Sequence, residues 1–375
     1  MLEDSYFYES PSQYRPFTIL DLKPLSTQFI DLSYEEIYTK EKLLAPLTAI
    51  KSSITNIKSC PLSTIQEENH ITNLHKIFIH YNGIPKGIRG LRSLLWKTLL
   101  DYYPEDDVSS WQRTMIKSKT EYEKLKSQYR YNIINDKELI KQIELDLPRT
   151  QSNEPFFISK PKGKKEKTHY EIIKRILYIY AKVNPKMKYT QGMNEICAVI
   201  YFALWKDTED DFLSLHEGEV FFTFSSFMSK IEEIFTLNNS ILSTGKIQKR
   251  TDLIRDIMKF CDPELDSYIT SKVDYFILTY RWIFLLFSQD LDINSLILFW
   301  DRLFAVDDII SYVCYFSASI LIINRKELMQ MDDEYMMHFT SMIKNIAIKD
   351  SNFISIIIKK ANELKEMFEM NNIEL

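Results

Sequence analysis

Two side chains stand out for where the chain puts them. Arg149 follows a proline in Ile143-Glu144-Leu145-Asp146-Leu147-Pro148-Arg149, and Gln191 precedes a glycine in Tyr189-Thr190-Gln191-Gly192-Met193. Neither changes charge near neutrality, so general acid–base work is not what they offer. The guanidinium is a permanent positive charge in a planar fork, while the carboxamide both donates and accepts and can therefore hold a water. Such a pair suits charge stabilisation and the positioning of a small nucleophile. Proline fixes its own backbone and biases the residue before it toward an extended conformation. The helix through Leu139, Ile140 and Ile143 is therefore predicted to stop at an extended Leu147, leaving Arg149 on a stiff turn. Asp146 is expected to hold that turn, or the guanidinium, by charge-assisted hydrogen bonds. Gly192 is expected to let backbone approach closely beside Gln191. Taken singly, Arg149 is an ordinary solvated or salt-bridged arginine and Gln191 an ordinary turn residue; their pairing carries the reading.

Other chemistries find no support. No segment matches GxxxxGK[ST], and Gly83, Gly87 and Gly90 follow GxxxGxxG rather than GxGxxG, so the chain is expected to hold no nucleotide of its own. The six histidines show no HExxH or paired-ligand spacing, and no GxSxG elbow occurs. Cys60, Cys197, Cys261 and Cys314 contain no CxxC pair, and Cys197 and Cys314 lie in apolar runs, which predicts buried thiols in a reducing compartment. The net charge is -5, with 47 basic residues scattered among 52 acidic ones, which disfavours nucleic acid as a partner. Residues 1–9 are acidic and aromatic, unlike a secretory signal. The apolar stretches Val199–Trp205 and Tyr312–Ile323 are too short to cross about 30 Å of hydrocarbon. A cytoplasmic protein is expected, touching membranes peripherally or through a partner.

The elements that would position the pair read as helices. Seven glycines in 375 residues leave little of the turn chemistry that a sheet-rich protein needs. Ile173, Ile176, Leu177 and Tyr180 recur at helical spacing after Thr168 and Glu171, which are spaced as a capping box. Ile196, Val199, Ile200, Ala203 and Leu204 repeat the pattern, and Asn184-Pro185 breaks the chain between the two, placing Tyr189 and Gln191 on a connector into a buried helix. The glycines of residues 83–90 read as a tight turn feeding a helix over Leu91–Trp96. Val220, Phe221, Phe224, Phe227 and Met228 supply core. Tyr280-Arg281-Trp282, Phe299-Trp300-Asp301 and Ile320–Ile323 mark a second bundle. A closing amphipathic helix is expected to bury Ile356, Ile357, Leu364 and Phe368 and to carry a Lys359/Glu363 pair. At this length two cores or one bilobed body are expected. Residues 1–70, rich in Ser, Thr, Pro and charge, read as an accessory arm whose only helix spans 43–57. Residues 159–167, with Lys160, Lys162, Lys164, Lys165 and Lys167, read as a mobile surface loop.

Three ordered segments carry a family resemblance: Arg92 to Trp96 as R-x-x-x-W, Ile143-Asp146-Arg149 as I-x-x-D-x-x-R, and Tyr189-Gln191 as Y-x-Q. The chain resembles the TBC-domain Rab GTPase-activating proteins. Gly83-Ile84-Pro85, Arg175–Lys182, Gln191–Ile196, Glu217–Met228, Arg281-Trp282 and Trp300-Asp301 extend the likeness over residues 74–325. The run Tyr-Ala-Lys-x-Asn-Pro with Gln-Gly-Met-Asn-Glu-Ile is most like the animal subgroup numbered thirteen.

The resemblance implies an all-α, two-lobed TBC domain over residues 71–325, with an N-lobe at about 71–205, a C-lobe at about 206–325, and helices of 326–375 packing on the C-lobe. It implies that Arg149 acts as an arginine finger and that Gln191 orients the attacking water on a Rab-family small GTPase in its GTP form, ending Rab signalling in vesicle traffic. GTP and Mg²⁺ would be held by that partner, and this chain would have no cofactor. Asp146, Tyr189, Arg92, Trp96 and Gly192 would support the site, Trp96 by packing on a helix face, Arg92 and Tyr189 by hydrogen-bonding the loops; plain core and rim is the other reading of those three. The lysines would face acidic switch residues of the Rab, or anionic headgroups of an endomembrane, or simply solvate an insertion. A monomer is expected. After Thr150, where many relatives continue with an aromatic and a proline, this chain has Gln151-Ser152-Asn153. The competing readings are a non-catalytic Rab-binding scaffold on the same fold and a helical adaptor with chance motifs; a pure scaffold needs neither Arg149 nor Gln191.

Overall fold

The computed structural model describes residues 76, 79–85, 90–103, 110–130, 136–161, 165–208, 217–235, 241–332, 339 and 352–370. The arm expected over residues 1–70, its helix over 43–57, and Lys162 and Lys164 lie outside them. Among the described residues every regular element is helical, as the scarcity of glycine predicts.

The helices of the first lobe are α1 (Leu91–Leu99), α2 (Trp111–Gln128), α3 (Lys137–Asp146), α4 (His169–Val183), α5 (Met193–Thr208) and α6 (Glu217–Lys230). Those of the second are α7 (Ile241–Cys261), α8 (Pro263–Lys272), α9 (Tyr275–Leu285), α10 (Ile293–Leu303), α11 (Ile309–Ile323) and α12 (Phe353–Met370). Helices α4 and α5 meet each other and α6, α3 lies on α4, α1 on α5, and α2 on α6. Packing thus groups α6 with the helices before it. Every residue from Gly218 to Met228 is buried, with Val220, Phe221, Phe222, Phe224, Phe227 and Met228 supplying apolar surface around the helix and Lys97 of α1 answering Glu219 at 2.7 Å. In the second lobe α7 lies against α8, α9 and α11, and α12 packs on α10 and α11.

Caps explain several boundaries. Asp262, Asp274, Asp292 and Asp308 each accept a backbone N–H in the first turn of α8, α9, α10 and α11, satisfying donors that a helix start leaves open. Helix α1 starts from Gly90, at φ 74, without a side-chain cap of its own. Asp207, near the end of α5, serves instead: its Oδ2 accepts from Ser93 N–H at 2.7 Å and its carbonyl from Gly90 N–H at 3.2 Å. The capping box predicted at α4 is only half formed. Thr168 makes no side-chain cap, and Glu171 Oε2 accepts from Lys167 N–H at 2.5 Å rather than from Thr168. Helix α4 ends at Val183, just before Asn184-Pro185, as read from the sequence.

The closing helix buries Ile357, Leu364 and Phe368 as expected and departs from the reading at Ile356. Ile354, Ile357, Ile358, Ala361, Leu364 and Phe368 are buried, whereas Ile356 is 50% exposed. Its ion pair joins Lys360 to Glu363 at 3.6 Å, not Lys359. Cys197 and Cys314 are fully buried, and burial pushes the Cys314 thiol up to about 12. No described helix is long and apolar enough to cross a membrane.

An aromatic seam joins the lobes. Trp96 of α1 packs edge-on against Phe304, just after α10, with ring centroids 4.8 Å apart, and lies 6.3 Å from Trp300; Phe227 of α6 meets Trp300 at 5.4 Å and Phe304 at 4.8 Å. Within this apolar seam Asp301 is 0% exposed. Arg92 Nε and Nη2 donate to Asp301 Oδ1 and Oδ2 at 3.0 and 3.2 Å, and Trp96 Nε1 donates to Oδ1 at 2.8 Å. A buried carboxylate is tolerable only when answered this fully.

Candidate functional site

Arg149 ends a 3-10 turn, Leu147–Arg149, that continues α3 without a gap. The extended Leu147 predicted from Pro148 does not occur. Leu147 has helical φ -57 and ψ -45, donates its N–H to the Ile143 carbonyl, and is buried. Its burial outweighs the bias from the following proline, and Pro148 sits in a first turn, where its missing N–H leaves no bond unmade. The chain swings out only at Thr150 (ψ 117) and at Gln151, whose φ is 45.

Gln191 lies in the turn between α4 and α5. Gly192, at φ 106, ends that turn, and a Cβ there would sit 2.8 Å from Leu285 Cδ2 and 3.0 Å from Phe284 Cε1. The close approach that needs glycine is thus made by side chains of α9 rather than by backbone. Both Arg149 and Gln191 are exposed, and neither side chain has a hydrogen bond or ion pair with a described residue.

Beneath them the two loops are sewn together. Asp146 Oδ2 accepts from the Tyr189 hydroxyl at 2.8 Å, so Asp146 secures the glutamine connector rather than the Arg149 guanidinium. That hydroxyl also lies 3.1 Å from Asn194 Oδ1, which accepts Gly192 N–H at 2.8 Å. Asn194 Nδ2 donates to Thr150 Oγ1 at 2.8 Å, and Thr150 Oγ1 donates to the Asp146 carbonyl at 3.0 Å, closing a ring. Tyr170 adds a hydrogen bond from its hydroxyl to the Thr150 carbonyl at 2.5 Å. Asp146, Thr150, Tyr189 and Asn194 are all buried. Burial, and then Asp146, push the Tyr189 hydroxyl far above its usual range, so it stays a donor. Thr150 immediately follows Arg149, and Gly192 immediately follows Gln191, so one buried polar ring sets the backbone under both exposed groups.

Asn194 and Thr150 were not singled out in the sequence. The available signal was an asparagine two residues beyond the glycine, at a helix start, where its side chain can accept a local backbone N–H. Arg92 and Trp96 do not touch these loops: their bonds go to Asp301. They connect to the site only at a distance, because Trp300 Nε1 donates to the Leu286 carbonyl at 3.1 Å, and Leu286 opens the turn that runs to Asp290. Lys160, Lys165 and Lys167 are exposed. Among the described residues no cluster of three His, Cys, Asp or Glu side chains could hold a metal ion.

Backbone strain gathers around the same place. The described non-glycine residues with positive φ are Asp101, Gln151, Lys188, Leu286 and Phe287. All but Asp101 lie on the arginine loop, the glutamine connector, or the Leu286–Asp290 turn. Left-handed conformations in such residues cost on the order of 1–3 kcal/mol each and persist where surroundings over-determine them, which is common at functional sites.

Residues 89–329 match the model of the Rab-GTPase-TBC domain. The chain belongs to this family. It is 30% identical over 201 residues to TBC1 domain family member 13 of Homo sapiens, a match covering 53% of this chain and 48% of that protein. The chain thus spans about half the length of that curated relative. It is 24% identical to human TBC1 domain family member 22B over 357 residues, 87% of this chain and 67% of that protein. Among solved structures, the crystal structure of the Ypt/Rab-GAP domain of Gyp1p superposes with a TM-score of 0.68 at 18% identity, covering 87% of this chain and 99% of that one. The Chlamydomonas flagellar RabGAP TBC domain gives 0.54 at 16% identity, covering 91% and 96%. The all-α, two-lobed fold is therefore that of a TBC domain, and the ring lies inside the matched region.

Proposed function

We propose that this TBC domain is a GTPase-activating protein for a Rab-family small GTPase in its GTP form, with Arg149 and Gln191 supplied in trans. The observation that carries the reading is the contrast at the site: two side chains able to stabilise charge and hold a water stay exposed and unengaged, on backbones fixed by a buried polar ring. A side chain with no internal partner gives up nothing within its own protein when it enters a partner's pocket.

In this reading GTP and Mg²⁺ belong to the GTPase. Arg149 enters the nucleotide pocket and neutralises charge developing on the γ-phosphate oxygens and the leaving group; such arginines contribute on the order of 10³ to 10⁵ in rate in other GTPases. Gln191 orients the attacking water through its donor and acceptor together. Pre-ordering of both loops removes the cost of arranging them at the moment of reaction. The protein would work in the cytoplasm on the membranes that carry its Rab, in vesicle traffic.

The test is phosphate release from a panel of GTP-loaded Rab proteins. The wild type should accelerate at least one. Arg149→Lys should lose most of that stimulation, by about 10³, with melting temperature and Rab affinity nearly unchanged, because lysine keeps the charge but not the fork. Gln191→Ala should likewise lose rate rather than binding. Equal stimulation by Arg149→Lys would remove the finger assignment. Binding of a Rab without acceleration would establish the scaffold reading instead.

A further inference from the structure

Gln151 is held by more of the molecule than a loop residue beside an exposed arginine needs to be. It is half-buried, and its backbone sits at φ 45. Its Nε2 donates to Glu195 Oε2 at 2.9 Å and to the Ser288 carbonyl at 2.6 Å. Both partners are pure acceptors. Only an NH₂ group, with two hydrogens, satisfies both from one atom, so the amide orientation is fixed by the chemistry of its neighbours.

Glu195 lies in the first turn of α5, four residues after Gln191, and is 2% exposed. It accepts a second amide, Gln289 Nε2, at 3.2 Å. Ser288 and Gln289 belong to the turn entered through the left-handed Leu286 and Phe287. A single side chain, two positions after Arg149, therefore ties the arginine loop to the helix that follows the glutamine turn and to the second lobe. The buried ring of Asp146, Tyr189, Asn194 and Thr150 lies wholly within the first lobe, so that tie is additional to it.

We propose that Gln151 is a positioning residue: its two-donor strut to Glu195 and the Ser288 carbonyl sets the pose of Arg149 relative to Gln191 and to the second lobe. The claim about catalysis rests on the GTPase-activating reading above; the claim about the strut does not. Gln151→Glu keeps the shape but sets a carboxylate against two acceptors, and Gln151→Leu keeps nearly the same volume with no donor.

Both variants should fold, judged by far-ultraviolet circular dichroism and one melting transition. With a GTPase that the wild type stimulates, kcat should fall by about tenfold to a hundredfold, the scale of a misplaced catalytic group. KM for the GTP-loaded GTPase should change less than about threefold. In an Arg149→Lys background the same changes should cost no more than about twofold further, since they act through that arginine. A kcat within about twofold of wild type, or losses that multiply with those of Arg149→Lys, would overturn the positioning role. Amide hydrogen exchange of the full chain separates the two claims. In Gln151→Leu, and in Gln151→Glu should the leucine variant fail to fold, amides of residues 147–152 should exchange about tenfold faster than in wild type. Unchanged exchange overturns the strut, whatever the kinetics. If the wild type stimulates no GTPase while exchange rises as expected, the proposed function fails and the strut stands.

Discussion

The interlobe seam and the polar ring beneath the paired loops are both buried, yet they are built from opposite materials. The seam is four aromatic rings around one ion pair: Trp96, Phe227, Trp300 and Phe304 enclosing Asp301 and reaching Arg92. The loops are held by short, directional bonds among Asp146, Tyr189, Asn194 and Thr150, with Gln151 and Glu195 beside them. Apolar contact is non-directional and scales with area, so it stabilises an arrangement without fixing angles closely. Hydrogen bonds add little net stability each but specify orientation. The molecule thus places adhesion where the lobes meet and orientation beneath the two loops that carry Arg149 and Gln191.

The comparison breaks most clearly if stability and activity can be lost separately. Trp96→Ala removes a fully buried ring and one of the three donors to Asp301; about 3–5 kcal/mol of stability should go, by the usual cost of large-to-small core changes. Stimulation per folded molecule should survive, read from the active fraction after correction for unfolded protein. If Trp96→Ala melted like wild type, the seam would not be the adhesive described. Tyr189→Phe makes the opposite cut. It deletes one hydroxyl and leaves the buried Asp146 Oδ2 without that donor, while Asn194 Oδ1 keeps Gly192 N–H, which costs about 1–3 kcal/mol. Its larger signature should be kinetic, about a tenfold drop in stimulated kcat as Arg149 and Gln191 lose their shared footing. A fall in melting temperature with unchanged kcat would show that the ring only stabilises.

How much of this could be read from sequence follows the same division. Helices were legible because their apolar spacing is local: Ile173 to Tyr180 and Ile196 to Leu204 lie in α4 and α5, and the break at Asn184-Pro185 falls where read. Residue types able to do chemistry were legible too, since Arg149 and Gln191 sit on turns and face solvent. Partners were not. Arg92 finds Asp301 across 209 positions, and nothing within a few residues of either announces the other. The local sequence around Asp146 points to its own turn or to Arg149, whereas the carboxylate holds Tyr189, 43 positions away. Local rules also failed where burial opposed them. Leu147 stayed helical before a proline because its side chain is core. Gln151 looked like a simple departure from the family pattern; only the fold brings Glu195 and Ser288 to it.

A smaller effect sharpens the comparison from His80, which packs against Tyr312 of the second lobe. His80 is buried against Tyr81 and Tyr312, with ring centroids 5.0 and 5.2 Å away, and its Nδ1 has no hydrogen-bond partner. Tyr189, Asn194 and Thr150, at comparable burial, are each answered. Burial, reinforced by Lys365 and Arg302, lowers the His80 pKa from 6.5 to about 4. The folded state therefore binds a proton less readily than the unfolded chain. The stability conferred by neutral His80 is fully present above about pH 6.5 and is lost progressively as pH falls toward about 4. At pH 5.5 the loss attributable to this residue should be about 1 kcal/mol relative to pH 7.5. His80→Gln cannot take up that proton, so the difference in urea unfolding free energy between wild type and variant should shift by that amount, in the variant's favour, between the two pH values. A difference constant with pH would mean that the imidazole is hydrated and answered as fully as the polar groups of the ring beneath Arg149.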